Sequence, residues 1–352
     1  MRALGILPCL KCLRKYTAKL LIKTKFNKIL NFLKRTNMIE ESNFIKASII
    51  IVSYNSSEFI VDCINSIKNQ KYPYYESIVV DNASSDNSVL LIKNNFPDLK
   101  IYESIKNLGF AGAVNLGVGL SGGDIIVLLN PDVIVKENWL SNLIEAFQDK
   151  KVGIVGSLIL DEDQSYIQHA GAIIHENGLT EHIELDLKEV SLEDGKKILG
   201  KMKEKIKEEF DKTDIDYVTG ASIAIRQSLW DRLGGLDEGY FPGYFEEADF
   251  CIKAKDLGYK VILEPKSICI HKQASSSGLF STTFYYFYHK NRIRFVFKNY
   301  SFKRFIYDFL PSEINWMRRK RISKENIPLL KAYLANIKNI FSIFYKKRRY
   351  IS

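Results

Sequence analysis

From Ala47 onward, short apolar runs alternate with segments whose apolar residues recur every three or four positions. The runs ASIIIVS (47–53), YESIVVD (75–81), LKIYE (99–103) and DIIVLL (124–129) have the length and composition of strands. Between the first two, Phe59, Ile60, Cys63, Ile64 and Ile67 predict a helix capped by Ser57. Val89, Leu90 and Ile92 predict a second, capped by Ser85, and the small residues 113–119 predict a third. Strands joined by helical crossovers imply a mostly parallel, right-handed, Rossmann-like α/β sheet.

The later pattern is more mixed. Trp139 to Phe147 reads as a helix, 152–160 as a strand, 169–178 as a hairpin and 217–225 as β structure. Residues 184–212 are almost wholly charged, and the helix expected at 196–210 reads as a solvated face or insertion. Trp230 to Leu233 predict a short helix ended by Gly234-Gly235. Glu246, Glu247 and Asp249 open a helix with Phe250, Ile252, Ala254 and Leu257 on its apolar face and Gly258 at its end. Strands at 260–265 and 267–271 follow, then an amphipathic packing helix over 280–300 with Lys290, Arg292, Arg294 and Lys298 as a basic face.

Charge separates the ends from the body. Residues 1–39 hold ten Lys/Arg and no acid, and residues 301–352 hold thirteen Lys/Arg against Asp308, Glu313 and Glu325. Since the whole chain carries +10, the middle carries −10, which is no signature of a nucleic-acid-binding core. Three regions follow: a basic amphipathic segment (1–44), an acidic body (45–300, in two halves divided after 135) and a basic helical segment (301–352). Ile22, Phe26, Ile29, Leu30 and Leu33 at one end, and Leu330, Leu334, Ile337, Phe341 and Phe344 at the other, have helical spacing among basic residues. Such ends suit an anionic membrane surface, placing the chain peripherally on the cytoplasmic face of the cell membrane. The alternatives for the first segment are a helix packed on the body, a disordered tail, or translation starting at Met38. It lacks the apolar core of a secretory signal, and no apolar run reaches the ~20 residues that span a bilayer. Five scattered cysteines, with Cys9 and Cys12 lacking a second pair at metal-site spacing, fit a reduced cytoplasmic chain.

Candidate chemistry collects where the strands end. Asn55, Asp81, Asn107 and Asp132 each follow a strand, where open α/β sheets bind their ligands. Each alone is explained as a turn or cap residue; together they mark a nucleotide crevice. Pro131 cannot continue a central strand, so Asn130-Pro131-Asp132 delivers a carboxylate just past the strand's end, where it needs a cation or a donor. The carboxylates at 246, 247 and 249 suit the first turn of a helix, yet three exceed what a cap needs. Glu246 and Asp249 share one side while Glu247 points elsewhere. His271 leaves a strand just before a polar loop (274–277), which makes it a ligand candidate.

The stretches SIIIVSYNSSEFI (48–60), IVVDNASSDNS (78–88), NLGFAGAVNLG (107–117), DIIVLLNPDV (124–133), VTGASIAIR (218–226) and GGLDEGYFPGYFEEADFCIKAKDLGYKV (234–261), with the later His271, share an order and spacing. In these the chain resembles the inverting glycosyltransferases of family 2, with the GT-A fold, and most of all their rhamnosyltransferase-like branch. The resemblance covers residues 45–300 and implies roles residue by residue. Ser53, Tyr54 and Asn55 would line the nucleotide pocket, and Asp81 would bind the donor's base. The loop from Asn107 to Asn115 would close over the donor, with Gly112 allowing close approach. Asn130 and Asp132 stand at the family's Asp-x-Asp motif; Asp132 and His271 would hold Mg²⁺ or Mn²⁺ against the diphosphate. Gly220, Ala221 and Glu246 would border the acceptor, and Glu247 falls at the general base. Two departures are Asn130, which removes one anionic ligand, and Glu247 where Asp is frequent, leaving Asp249 as the reserve base. The partners implied are a dTDP- or UDP-linked sugar donor and a glycan or lipid-linked acceptor, in cell-surface polysaccharide or glycoconjugate synthesis. The competing readings are a non-catalytic nucleotide-sugar-binding or membrane-interaction protein of the same fold and, more weakly, a nucleotidyltransferase.

Overall fold

A computed structural model describes residues 44–272, 281–319, 324–340 and 343. The chain divides into two compact units, Met1–Phe44 and Ile45–Ser352. The first lies outside the described residues except for Phe44, so the amphipathic N-terminal helix and the Cys9–Cys12 pair fall there, as do Phe341, Phe344 and the loop 274–277. Among the described residues, no helix is long and apolar enough to cross a membrane.

The second unit is built on one ten-stranded sheet. β1 (Ala47–Ser53), β2 (Tyr75–Asp81), β3 (Lys100–Glu103) and β4 (Ile125–Leu129) pair in parallel in the order β3-β2-β1-β4. All seven residues of β1 are buried, because helices cover both faces. α1 (Ile60–Lys68) and α2 (Ser88–Asn95) join Ile49, Ile51 and Val79 in one core, while α3 (Gly109–Gly119) joins Ile50, Val52 and Val80 in the other. This is the period-two alternation of a central strand. At Gly117 an added Cβ would come within 2.5 Å of Ile50, so α3 lies against the sheet only because that position is glycine.

β5 (Val133–Val135), α4 (Trp139–Ala146) and β6 (Val152–Leu160) continue the chain. β11 (Ser222–Arg226) enters antiparallel between β4 and β6. β12 (Lys260–His271) runs parallel to β6, and its last residues pair antiparallel with β5. The two halves expected to divide near residue 135 therefore share one sheet. The alternation in the first 90 residues of the sheet was legible; the antiparallel insertion was not, since β11 has no crossover helix to announce it.

Several local expectations change. Ser57 does not cap α1: the Ser56 carbonyl accepts the Phe59 and Ile60 N–H groups at 3.0 Å, while Ser57 donates its own N–H to Asp86. Ser85 does not cap α2, which has Asn87 at its cap position and no side-chain cap bond. The hairpin is displaced, with β7 (Tyr166–His169) preceding the paired β8 (Ala172–Ile174) and β9 (Thr180–His182). β10 (Leu185–Asp186) pairs with β7. α5 (Gly195–Phe210) is charged outside, but Ile198, Met202 and Ile206 are buried in the core, so it is no mere solvated insertion. The two strands expected at 260–271 are one, with an irregular register around Pro265.

The largest difference concerns the helices after the sheet. α6 (Gln227–Leu233) and α7 (Glu246–Asp256) precede β12, and α8 (Thr282–Asn299) follows it. α9 (Leu310–Arg319) and α10 (Asn326–Lys338) come last, and α10 packs along α8. The expected basic face of α8 is turned inward. Arg292 forms a two-pronged pair with Glu313 at 2.6 and 2.7 Å, Arg294 binds Asp237 at 2.7 Å, and Lys298 reaches both Asp237 and Asp249 at 2.8 Å. Pattern alone could not distinguish lysines facing water from lysines facing buried carboxylates.

Candidate active site

The strand ends of β1, β2 and β4, together with the loops before α3 and α7, enclose a crevice of about 550 Å³. Tyr54, Asn55, Asn82, Asn107, Asn130, Pro131 and Asp132 line it from the sheet side, and Pro242, Gly243, Tyr244, Thr283, Phe284 and Phe287 from the other.

Ser53 and Asp81 sit opposite each other at the ends of β1 and β2, one residue behind Tyr54 and Asn82. Both are buried, and the Ser53 hydroxyl and one Asp81 oxygen have no hydrogen-bond partner among the described residues. The other Asp81 oxygen accepts the Ser84 N–H at 3.1 Å. Unmatched polar atoms at that depth are costly, so they point to a ligand. Asn55 stands at φ +50° and ties two loops together: its N–H donates to Ser84 Oγ and its side-chain oxygen accepts the Ser85 N–H.

Asn82, which sequence reasoning missed, fixes the donor loop. Its amide donates to Asn107 Oδ1 at 3.1 Å and its oxygen accepts the Leu108 N–H at 2.7 Å. The only signal for it was its place directly after Asp81. Asn107 also accepts the Gly109 N–H. Gly109, rather than Gly112, is the glycine of close approach: φ is +72°, and an added Cβ would meet the Phe241 ring at 2.8 Å and the Pro242 carbonyl at 3.0 Å. Gly112 is buried inside α3 against Leu108 and Glu238, and Asn115 spends its side chain on Leu236 and Glu238. Neither lines the crevice, whose wall on this side ends with Gly109 and Phe110 at the start of α3.

Past β4, the Asn130 N–H donates to the Ala221 carbonyl at 3.0 Å, joining this turn to the loop before β11. Asp132 is 8% exposed, and its carboxylate lies 3.3 Å from His271 Nε2. Antiparallel pairing of Val133 with His271 brings the two together across 139 residues of chain. His271 Nδ1 lies 3.1 Å from Gln168 Oε1, which fixes the orientation of the ring and leaves Nε2 facing Asp132. An imidazole nitrogen and a carboxylate side by side at a strand end are a pair of donors that suits a divalent cation. Among the described residues there is no group of three or more His, Cys, Asp or Glu side chains placed to hold a metal. Two protein ligands completed by a ligand's oxygens is the set these residues fit.

The second carboxylate group stands behind the crevice's opposite wall. Tyr244 and Phe245, at φ +77° and +76°, turn the chain sharply into α7. Such backbone costs roughly 1–3 kcal/mol per residue and persists only where its surroundings impose it. Glu246 is 4% exposed, with one oxygen lacking a hydrogen bond. Burial, and then the charge of Glu247, holds its carboxyl well above the usual carboxylate range. Glu247 is likewise raised by burial, while its own and Gly220's backbone N–H groups favour the charged form. An added Cβ on Gly220 would lie 3.9 Å from the Glu247 carboxyl carbon and 3.4 Å from the Phe110 ring, which lines the crevice. Gly220 therefore leaves open the space between Glu247 and the crevice wall. Asp249 stands elsewhere. It pairs with Lys253 at 2.6 Å and Lys298 at 2.8 Å, and accepts from Tyr240 and Asn299. Burial opposes its charge, but Lys298 and Lys253 outweigh burial and hold its carboxyl below the ordinary value.

A parallel sheet with an inserted antiparallel strand and a carboxylate-bearing crevice at its strand ends defines a GT-A glycosyltransferase. The comparisons agree on that class. Residues 48–234, more than half the chain, match the model of glycosyl transferase family 2, and the chain belongs to that family. It is 27% identical to the rhamnosyltransferase WbbL of Escherichia coli over 260 residues, covering 70% of this chain and 91% of that protein. It is 25% identical to the low-salt glycan biosynthesis hexosyltransferase Agl10 of Haloferax volcanii, covering 77% of this chain and 81% of that one. Other matches are partial: the chain spans 25% of an uncharacterized Sinorhizobium fredii protein, y4gI, and 40% of the glycosyltransferase GlyG of Streptococcus pneumoniae. Among solved structures, the Pyrobaculum calidifontis mannosyltransferase PcManGT, in complex with GDP-Man and Mn²⁺, superposes with a TM-score of 0.51 at 18% identity, over 92% of this chain and 85% of that one.

Proposed function

We propose that this glycosyltransferase is inverting and metal-dependent, moving a hexose from a dTDP- or UDP-linked donor to a glycan or lipid-linked acceptor in cell-surface polysaccharide synthesis. Rhamnose is the favoured sugar, in keeping with the likeness to WbbL. The observation that carries the reading is the Asp132–His271 pair, 3.3 Å apart at the crevice, with the half-buried Glu247 carboxyl behind Gly220.

Asp81 accepts the imide N–H that thymine and uracil share, using the oxygen without a partner among the described residues. Asp132 and His271 would hold Mg²⁺ or Mn²⁺, and Asn130 would add an amide oxygen without charge. When bound, the cation neutralises charge that develops on the departing diphosphate. Glu247 takes the proton of the acceptor hydroxyl as that oxygen attacks the anomeric carbon. A single displacement inverts that carbon and uses one base. The raised affinity of Glu247 for protons makes it a stronger base than an exposed carboxylate, which suits the task. Asp249, whose charge two lysines favour, is the poorer candidate, and Glu246, whose burial favours its neutral form, borders the acceptor.

Two variants and a chelator test this. Glu247→Gln should keep thermal stabilisation by UDP or dTDP with Mn²⁺ while losing about 10²–10⁴-fold in transfer rate, the usual worth of a general base. Asp132→Ala should lose the Mn²⁺-dependent part of that stabilisation, and EDTA should abolish transfer by the unmodified enzyme. Full transfer by Glu247→Gln, or transfer indifferent to EDTA, would refute the mechanism.

A further inference from the structure

α10 has two faces of opposite character. Pro328, Leu329, Ala332 and Asn336 are buried, and the Asn336 amide donates to the Lys290 carbonyl of α8 at 2.8 Å. The other face carries Ile327, Leu330, Leu334 and Ile337, exposed at 68, 61, 53 and 59%. Spacings of three and four place these four side chains in one stripe, and Lys331 and Lys338, also exposed, fall along its border. Isolated exposed apolar residues need no explanation; a continuous stripe of four on one helix does.

What covers this stripe can be argued from charge. The segment 301–352 holds thirteen Lys/Arg and three acids. Two of those acids are turned away from solvent: Glu313 pairs with Arg292, and Glu325 with His289, both partners lying on α8. Among the described residues of the segment, seven Lys/Arg are exposed against one exposed acid, Asp308. A second copy seated α10 against α10 would bring the same positive charge against it. Residues 1–39, with ten Lys/Arg and no acid, would do the same. The occupant that satisfies both features is anionic at its surface and apolar beneath. We infer that the exposed face of α10 docks in the plane of an anionic lipid bilayer, with its leucines and isoleucines in the acyl boundary and its lysines at the headgroups.

The placement connects to the crevice through α8, whose first turns contribute Thr283, Phe284 and Phe287 to the lining and whose outer side carries α10. A bilayer-bound α10 keeps the crevice close to the membrane, where a lipid-linked acceptor resides. That last step rests on the proposed acceptor; the docking itself does not.

The test is co-sedimentation of the full chain with vesicles of phosphatidylcholine alone or mixed with phosphatidylglycerol, at low and high salt. Binding is expected only to the anionic vesicles and should weaken with salt. Leu330→Asp combined with Leu334→Asp should lower the partition coefficient by about tenfold or more. Melting by circular dichroism and donor-dependent stabilisation should stay unchanged, because both side chains face solvent. Ile327→Ser with Ile337→Ser gives a milder second pair should the first fail to fold. Unaltered binding by both pairs would overturn the inference. So would equal binding to neutral vesicles, or a dimer in light scattering that the same substitutions dissociate. Failure of transferase activity with a tested acceptor would leave the vesicle result standing and would count against the proposed function alone.

Discussion

Replacing Asp249 separates the two carboxylates that compete for the role of base. The Asp249 side chain is 2% exposed and lies in a cluster with Asp237, Arg294, Lys298 and Lys253, three cations to two carboxylates. Removing it leaves three cations to one. Lys298 keeps Asp237 at 2.8 Å, but Lys253 loses its contact at 2.6 Å, and Tyr240 and Asn299 lose theirs at 3.1 and 2.8 Å. The two lysines already differ in their hold on protons. Lys253, desolvated and with Asp249 as its chief counter-charge, is pulled down to about 8. Lys298, also desolvated but shared between two carboxylates, is raised. Breaking a buried pair from one side costs about 3–5 kcal/mol, a large part of the roughly 5–15 kcal/mol by which a domain is stable. Asp249→Ala should therefore lower the melting temperature by roughly 5–8 °C, since a unit of about 300 residues shifts by about 1.5 °C per kcal/mol. Asp249→Asn, which keeps the shape and loses the charge, should fall between. Both are read by circular dichroism, alongside transfer rates taken well below each variant's transition. If Asp249→Asn melts like the unmodified enzyme yet transfers no sugar, the assignment is wrong and Asp249 is the base.

Two further outcomes follow from the same site. The folded-state proton affinity of Glu246 is raised, so its contribution to stability is complete below the unfolded carboxyl value and is lost as pH rises through the folded value. Glu246→Gln should accordingly become more stable than the unmodified chain at alkaline pH, with the advantage shrinking on acidification; a pH-independent difference in urea midpoint would contradict this. Gly109→Ala should weaken nucleotide-dependent thermal stabilisation and destabilise by about 1–3 kcal/mol, since alanine is strained at φ +72° and its methyl group would run into Phe241. Unchanged nucleotide binding by that variant would remove Gly109 from the donor loop.

Legibility in the sequence followed the range of the interactions. β1, β2 and β4 announce themselves because strands buried on both faces must be continuously apolar, and the polar residue at each end is placed by the strand before it. Asp81 and Asp132 were readable on that ground alone. Asn115 and Gly112 were assigned to the crevice on the strength of a shared loop, yet the loop closes at Gly109 and α3 carries both into packing against residues 236–238. That contact spans more than a hundred residues and leaves no local trace. The basic residues of α8 were misjudged for the same reason, because their carboxylate partners come from other elements.

The ion cluster and the strained turn bear on each other. Tyr244 and Phe245 both hold positive φ just where α7 begins, a conformation that would relax if the helix start were free to move. The helix is not free: Asp249, in its first turn, is bound to Lys298, and Lys298 to Asp237, while Asn291 of α8 donates to the Tyr240 and Gly243 carbonyls at 2.6 Å. Two contacts from α8 thus grip the turn on both sides. Glu247, beside Gly220, stands on the same first turn of α7, so the grip on Asp249 also fixes the backbone that presents Glu247. The same network explains why the two acids two residues apart carry opposite shifts: Asp249 is surrounded by cations that hold the helix, and Glu247 is left without one.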